Sequence, residues 1–229
     1  MPESRFLDVL KHRVIIYDGA MGTSIQACGL GPADFGGAAL DGCNDHLVLS
    51  RPDVIEAIHA SFLEVGCDVV ETNTFRANRL TLREYGLSDR VLEMNRAAAS
   101  LARRVADRFS TPDHPRFVAG SIGPSGFLPS TSDPTLGAMT YAELADAFAE
   151  QARGLVEGGA DVLIIETSQD ILEVKAQIAG IRRYFAESGE WRPIQAQVTL
   201  DTSGRMLLGT DIAAAAAILE ALRVDVIGL

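Results

Sequence analysis

One unit recurs six times along this chain and leaves few folds open: a helix, a short apolar run, then a polar tip. Val14–Tyr17 runs into Asp18-Gly19, Val69-Val70 into Glu71-Thr72-Asn73-Thr74, Phe117–Ala119 into Gly120-Ser121, and Val162–Ile165 into Glu166-Thr167. Gln195–Leu200 runs into Asp201-Thr202, and Val224–Leu229 ends the series. Short β-branched runs between a helix and a polar cluster read as buried parallel strands. The polar cluster then lies at the carboxyl end of each strand, where parallel α/β proteins build their sites. Four of the tips carry a carboxylate: Asp18, Glu71, Glu166 and Asp201.

Single helices between successive strands argue for a (β/α) barrel or a doubly wound sheet. No G-x-G-x-x-G follows the first strand, and polar tips fall on every strand rather than at one switch point. The expected fold is therefore α/β, of the (β/α)8 TIM-barrel type, with the first six strands present. Such a wall would leave its first and sixth strands as open apolar edges, an aggregation hazard. The expectation is one domain over residues 1–229, incomplete at its C-terminus.

Helical spacing predicts a leading helix over 1–13 and a short one near Ser24–Cys28. A longer one, Pro52–Val65, would bury Val54, Ile55, Ile58, Phe62 and Val65. Ser88 is expected to cap a helix reaching Phe109, Thr140 one that Gly158-Gly159 closes, Asp170 the next, and Thr210 or Asp211 the last. Gly29–Gly42 shows no periodicity and reads as a loop. The formal charge of −11 repels phosphate backbones, which excludes nucleic acid as a partner. No apolar run approaches the roughly 20 residues of a membrane span, and the N-terminus has no signal-peptide pattern, so a cytoplasmic protein is expected. Cys28, Cys43 and Cys67 are too widely spaced for a zinc ribbon or a disulfide framework. Cys67 reads as a small buried thiol. Cys43-Asn44-Asp45-His46 groups ligand-type residues, but neighbours in sequence rarely converge on one metal.

The tips also carry a resemblance. Asp18–Thr23, Arg51-Pro52 with Ile58-His59, and Glu71–Phe75 with Ala77-Asn78-Arg79 are similar to the homocysteine S-methyltransferase family. So are Tyr85-Gly86-Leu87, Gly120–Pro124, Glu166-Thr167 and Asp201–Arg205. Their order and wording stand closest to the homocysteine-binding domain of the family's cobalamin-dependent branch. The resemblance implies a (β/α)8 barrel that binds homocysteine and presents its thiolate for methylation to methionine. It also implies a zinc ion held by three cysteines, which would deprotonate the substrate thiol. Residue by residue, Asp18 and Gly19 match the strand-one contact to the amino-acid part of homocysteine, and Glu166 matches the carboxylate that receives its ammonium. Glu71, Asn73 and Ser121 match tip positions that line or support the pocket. The family's zinc cysteines follow strands six and eight, beyond Leu229, and Cys28, Cys43 and Cys67 match none of them. No metal site and no catalytic residue is therefore expected in this span, and the chain alone is expected to be inactive. Cobalamin and methyltetrahydrofolate would be brought by a separate methyl-donor module or subunit.

Other barrel chemistries fit less well. A Schiff-base aldolase needs a lysine at a strand tip, but Lys11 precedes the first strand and Lys175 sits mid-helix. His12, His46, His59 and His114 all lie away from strand ends, against a metal-dependent hydrolase. The alternative of another class is a non-catalytic remnant that binds an amino acid or a partner.

Overall fold

The computed structural model describes residues 3–229. Five parallel strands, β1 (Val69–Glu71), β2 (Phe117–Ile122), β3 (Val162–Ser168), β4 (Ile194–Val198) and β5 (Val226–Gly228), pair in strictly sequential order. The helices are α1 (Arg5–Leu10), α2 (Met21–Ala27), α3 (Pro32–Phe35), α4 (Leu47–Ser50) and α5 (Pro52–Glu64). They continue with α6 (Arg79–Leu82), α7 (Val91–Phe109), α8 (Tyr141–Glu157), α9 (Ile171–Ser188) and α10 (Ile212–Ala221). A doubly wound sheet reverses its strand order at a switch point. Here the order never reverses, which is the succession of a barrel wall.

The predicted first strand is only partly realised. Segment 14–18 lies along the free side of β1, with a single parallel bridge from Tyr17 to Val69 and the Asp18 N–H donating to Val69 O at 2.9 Å. Among the described residues its outer side has no strand neighbour, and the Ile16 N–H turns to the Asp68 carboxylate at 2.9 Å. Among the described residues, β5 and segment 14–18 do not pair with one another, so the wall stays open between them. Val14 at 75% exposure and Leu229 at 75% mark the two apolar edges.

Alternation along the strands separates two cores. Val69, Phe117, Ala119, Val162 and Ile164 pack inside the curled sheet with Tyr17 and Phe6. Phe6 closes the lower end with its ring edge-on to Phe117, centroids 5.6 Å apart. The alternate residues Val70, Val118, Leu163 and Ile165 face outward into the helical layer, with Phe148, Leu155 and Ile181. Helix and sheet approach closely at Gly120, where an added Cβ would lie 2.9 Å from Leu163 and 3.0 Å from Leu155. Gly180 does the same between α8 and α9, since a Cβ there would collide with the Ala145 carbonyl oxygen.

The caps follow the sequence reading at three of four helices. Thr140 and Glu143 form a reciprocal capping box, Asp170 accepts the Leu172 N–H at 2.8 Å, and Asp211 the Ala214 N–H at 2.9 Å. Ser88 does not cap α7: it lies in a preceding 3-10 turn, its hydroxyl donating to Arg79 O at 3.1 Å. Val65 is not buried, at 84% exposure, because α5 ends one residue earlier and turns away at Gly66. The leading helix covers Arg5–Leu10, and the part of that prediction falling on residues 1 and 2 lies outside the described residues. Gly29–Gly42, expected to be irregular, holds α3 and a 3-10 turn at Ala38–Leu40, anchored by buried Phe35.

Candidate functional site

The strand ends surround one cavity of about 490 Å³. Period-2 alternation places its floor. Glu71, Ser121 and Glu166 each stand two residues beyond an inward core residue, Val69, Ala119 and Ile164. Register adds a stagger, with Glu71 level with Ala119 and Ser121 level with Ile164, so the three side chains rise in steps along the wall. Asp18 and Gly19 complete the floor from the segment beside β1.

All six residues singled out in the sequence, Asp18, Gly19, Glu71, Asn73, Ser121 and Glu166, line this cavity. The fourth tip carboxylate, Asp201, does not join them. It is exposed and holds its own turn, accepting the Ser203 N–H at 2.8 Å and the Ser203 hydroxyl at 2.6 Å.

The carboxyl groups are held differently. Both Asp18 oxygens accept the Glu71 N–H, each at 3.1 Å. The Ser121 hydroxyl donates to Glu166 Oε1 at 2.6 Å. The Glu71 carboxyl lines the same cavity beside them. Burial pushes the Asp18 carboxyl up to about 7, against its backbone hydrogen bonds. Glu71 is raised by burial and then by the negative charges of Glu166 and Asp18. Burial raises Glu166 too, opposed by its hydrogen bond from Ser121. Three acids in one poorly solvated space are unfavourable without a cation, and the arrangement suits an ammonium group.

A local irregularity lies beside Glu166. The β3–β4 register shifts between Ile165 and Ser168, and Thr167 sits at φ 56°. A β-branched residue in the left-handed region is strained. The bulge ends the regular β3–β4 pairing just where Glu166 reaches the cavity.

Residues that the sequence reading did not single out for the pocket form its walls. Gly42, Cys43, Asn44 and Asp45 come from the stretch before α4, and Phe75, Arg76 and Tyr85 from the stretch after β1. Asn73 ties the two together, its amide donating to Asn44 O at 2.7 Å, and buried Asp45 accepts the Arg76 N–H at 2.9 Å. The signals in the sequence were Phe75 and Tyr85, inside resembling stretches, and the polar run Cys43–His46. That run is a wall rather than a ligand set, with His46 bonded to Phe35 O at 2.9 Å. Beneath the floor, the Thr72 and Thr74 hydroxyls lie 2.6 Å apart, and Thr74 donates to Ser121 O at 2.7 Å. This fixes β1 to β2 at the height of the site.

Sequential parallel strands with an acidic cavity at their carboxyl ends define a protein of the (β/α)-barrel type. The family model for homocysteine S-methyltransferases matches residues 15–229, and the chain belongs to that family. It is 46% identical over 227 residues to methionine synthase of Mycobacterium tuberculosis, and 45% identical over 227 residues to that of Mycobacterium leprae. Each alignment takes in 99% of this chain and 18% of the relative, so the chain spans about a fifth of the length of these relatives. The metallated form of the homocysteine methyltransferase MmuM from Escherichia coli has the same fold, with a TM-score of 0.75 at 20% identity. That superposition covers 94% of this chain and 74% of the other. No helix among the described residues is long and apolar enough to cross a membrane.

Proposed function

We propose that residues 1–229 form a unit that holds L-homocysteine by its amino-acid end and leaves the thiol free for methylation to methionine. Asp18 and Glu166 receive the ammonium, with Glu166 oriented by Ser121. Gly19, lacking a side chain, lets the backbone approach the ligand. Glu71 lines the floor, and Asn73 fixes the wall. Family membership supports this reading. The observation that carries it is the meeting of Asp18, Glu71 and Glu166, from three separate strand ends, around one cavity.

Zinc, which the resemblance implies, does not fit the thiols of this span. Cys28 is exposed at the end of α2, Cys67 is buried before β1, and only Cys43 lines the cavity. Among the described residues, no group of three or more His, Cys, Asp or Glu side chains is placed to hold a metal. The thiolates that activate homocysteine would then come from outside residues 1–229, as would the modules carrying cobalamin and methyltetrahydrofolate. The 229 residues alone are proposed to bind without turning over, and to act in the cytoplasm, where free thiols persist.

Calorimetric titration with L-homocysteine and with 4-mercaptobutyrate, which lacks the ammonium, tests the reading. Homocysteine should bind and the desamino acid should not. Glu166→Gln removes a charge-assisted hydrogen bond of about 1.5–3 kcal/mol, so Kd should rise roughly 10- to 150-fold. Equal affinity for the two ligands, or an unchanged Kd in the variant, would refute it.

A further inference from the structure

We propose that Thr72 and Thr74 are positioning residues of this site: their hydroxyls close a hydrogen-bonded ring on the Ser121 backbone and so hold the Ser121 hydroxyl against Glu166. The proposal rests on the functional reading above and carries it to the strand pairing behind the cavity floor.

β1 stops at Glu71, while β2 continues to Ile122. The register pairs Glu71 with Ala119, and the Thr72 N–H still donates to Ala119 O at 2.9 Å. Continued for two more residues, a parallel ladder would give the Ser121 N–H to Thr72 O and the Thr74 N–H to Ser121 O. The backbone does neither. The Thr74 N–H instead donates to Thr72 O at 2.8 Å, a tight turn with Asn73 at its apex. From there the Asn73 amide reaches Asn44 O in the wall, at 2.7 Å. The turn that builds the wall therefore leaves the N–H and C=O of buried Ser121 without ladder partners, which is costly for groups shut off from water.

The two threonine hydroxyls take the missing places. The Ser121 N–H donates to Thr72 Oγ1 at 3.0 Å, and the Thr74 hydroxyl donates to Ser121 O at 2.7 Å. A hydroxyl has one proton to give. Thr74 has spent its own on Ser121, so across the 2.6 Å between the two hydroxyls Thr72 donates and Thr74 accepts. The ring then runs one way, from the Ser121 N–H through Thr72 and Thr74 back to Ser121 O. Bonds chained in one direction polarise and strengthen one another. Gln151 of α8 supports the ring with its amide, which donates to Thr74 O at 2.9 Å and to Ser121 O at 3.4 Å. All four residues are buried. The Ser121 hydroxyl is the one polar group of that residue outside the ring, and it donates to Glu166 Oε1 at 2.6 Å. A ring that fixes the Ser121 backbone fixes where this hydroxyl starts from, and with it the orientation of Glu166.

Thr74 is the cleaner probe, because it is fully buried and is not one of the residues lining the cavity. Thr74→Val keeps the shape and breaks the ring. Ser121→Ala keeps the backbone groups of the ring and removes only the hydroxyl that reaches Glu166. Calorimetric titration of the 229-residue chain with L-homocysteine, with and without Ser121→Ala, therefore separates positioning from packing. On the parent background Thr74→Val should raise Kd roughly 3- to 10-fold, and Thr74→Ser should bring it back to within about twofold. On the Ser121→Ala background Thr74→Val should change Kd by less than about twofold. Urea midpoints should fall equally on both backgrounds, since the ring itself is lost in each. An equal rise in Kd on both backgrounds, or no rise on either, would overturn the proposal while leaving the functional reading intact. Hydrogen exchange of the parent chain gives a second test that needs no variant. The Ser121 amide should be protected like the paired amides of β2, and exchange as fast as an unpaired amide would also overturn the proposal. Absence of any homocysteine binding would bring down the proposal and the functional reading together.

Discussion

Replacing Asp18 with asparagine should stabilise the free chain while damaging its site. Asp18 is half-buried beside two other acids, and its carboxyl moves from 3.8 to about 7 on folding. The folded state therefore binds the proton more tightly than the unfolded state. Stability conferred by that proton is full below about pH 4 and is lost as pH rises through about 7. A difference of about three units corresponds to roughly 4 kcal/mol, an upper figure because water can enter an open cavity. Asparagine keeps an oxygen to accept the Glu71 N–H and removes the charge, so it escapes this loss. Urea unfolding should show Asp18→Asn more stable than the parent by about 2–4 kcal/mol near pH 8, with little difference near pH 4. Homocysteine affinity should fall at the same time, by about 1.5–3 kcal/mol. A variant less stable than the parent near pH 8, or a difference that does not change with pH, would refute the reasoning.

Two further expectations concern groups away from the cavity. His59 is fully buried on α5, both ring nitrogens are without a partner among the described residues, and burial pushes it down to about 4. Its contribution to stability is present above about pH 6.5 and is lost as pH falls toward 4, up to about 3 kcal/mol. His59→Leu should lower the acid-unfolding midpoint, which circular dichroism across a pH series would check. Asp68 carries the Arg13 guanidinium on both oxygens, at 2.7 and 2.8 Å, and accepts the Ile16 N–H and His114. Burial alone would raise this carboxyl, but Arg13, Ile16 and His114 outweigh it and bring it to about 2. Its stabilisation is present above about 3.8 and is lost toward pH 2. Asp68→Ala should cost about 3–5 kcal/mol and loosen segment 14–18 first, seen as faster hydrogen exchange at Asp18 and Val69.

Much of the architecture was legible because it rests on local rules. Thr140, Asp170 and Asp211 cap their helices in place because a side-chain oxygen needs only the next turn's N–H groups. The six apolar runs and their polar tips announced parallel strands with a functional end, and three of the four tip carboxylates, Asp18, Glu71 and Glu166, line the cavity. The misses have local causes of another kind. Val65 continued an apolar stripe past the point where Gly66 turns the chain. Ser88 looked like a cap but bonds back to Arg79. Val14–Tyr17 has strand composition but lacks a neighbour on one side, so only one bridge forms.

Periodicity alone determined which way each tip faces and which end of the sheet carries chemistry, since alternation along a strand is set by bond geometry. It could not tell Asp201 from Glu166, both carboxylates at strand tips. Tertiary structure decided that. Glu166 lies on the curled sheet where the cavity forms, whereas the turn at Ser203–Arg205 draws Asp201 to itself. The walls, with Asp45 against Arg76 and Asn44 against Asn73, depend on contacts about thirty residues apart in sequence. No short-range pattern records such pairings. The acidity of the site belongs to the same class: an isolated carboxylate has its ordinary pKa, and only burial beside two others holds a proton on it near neutrality.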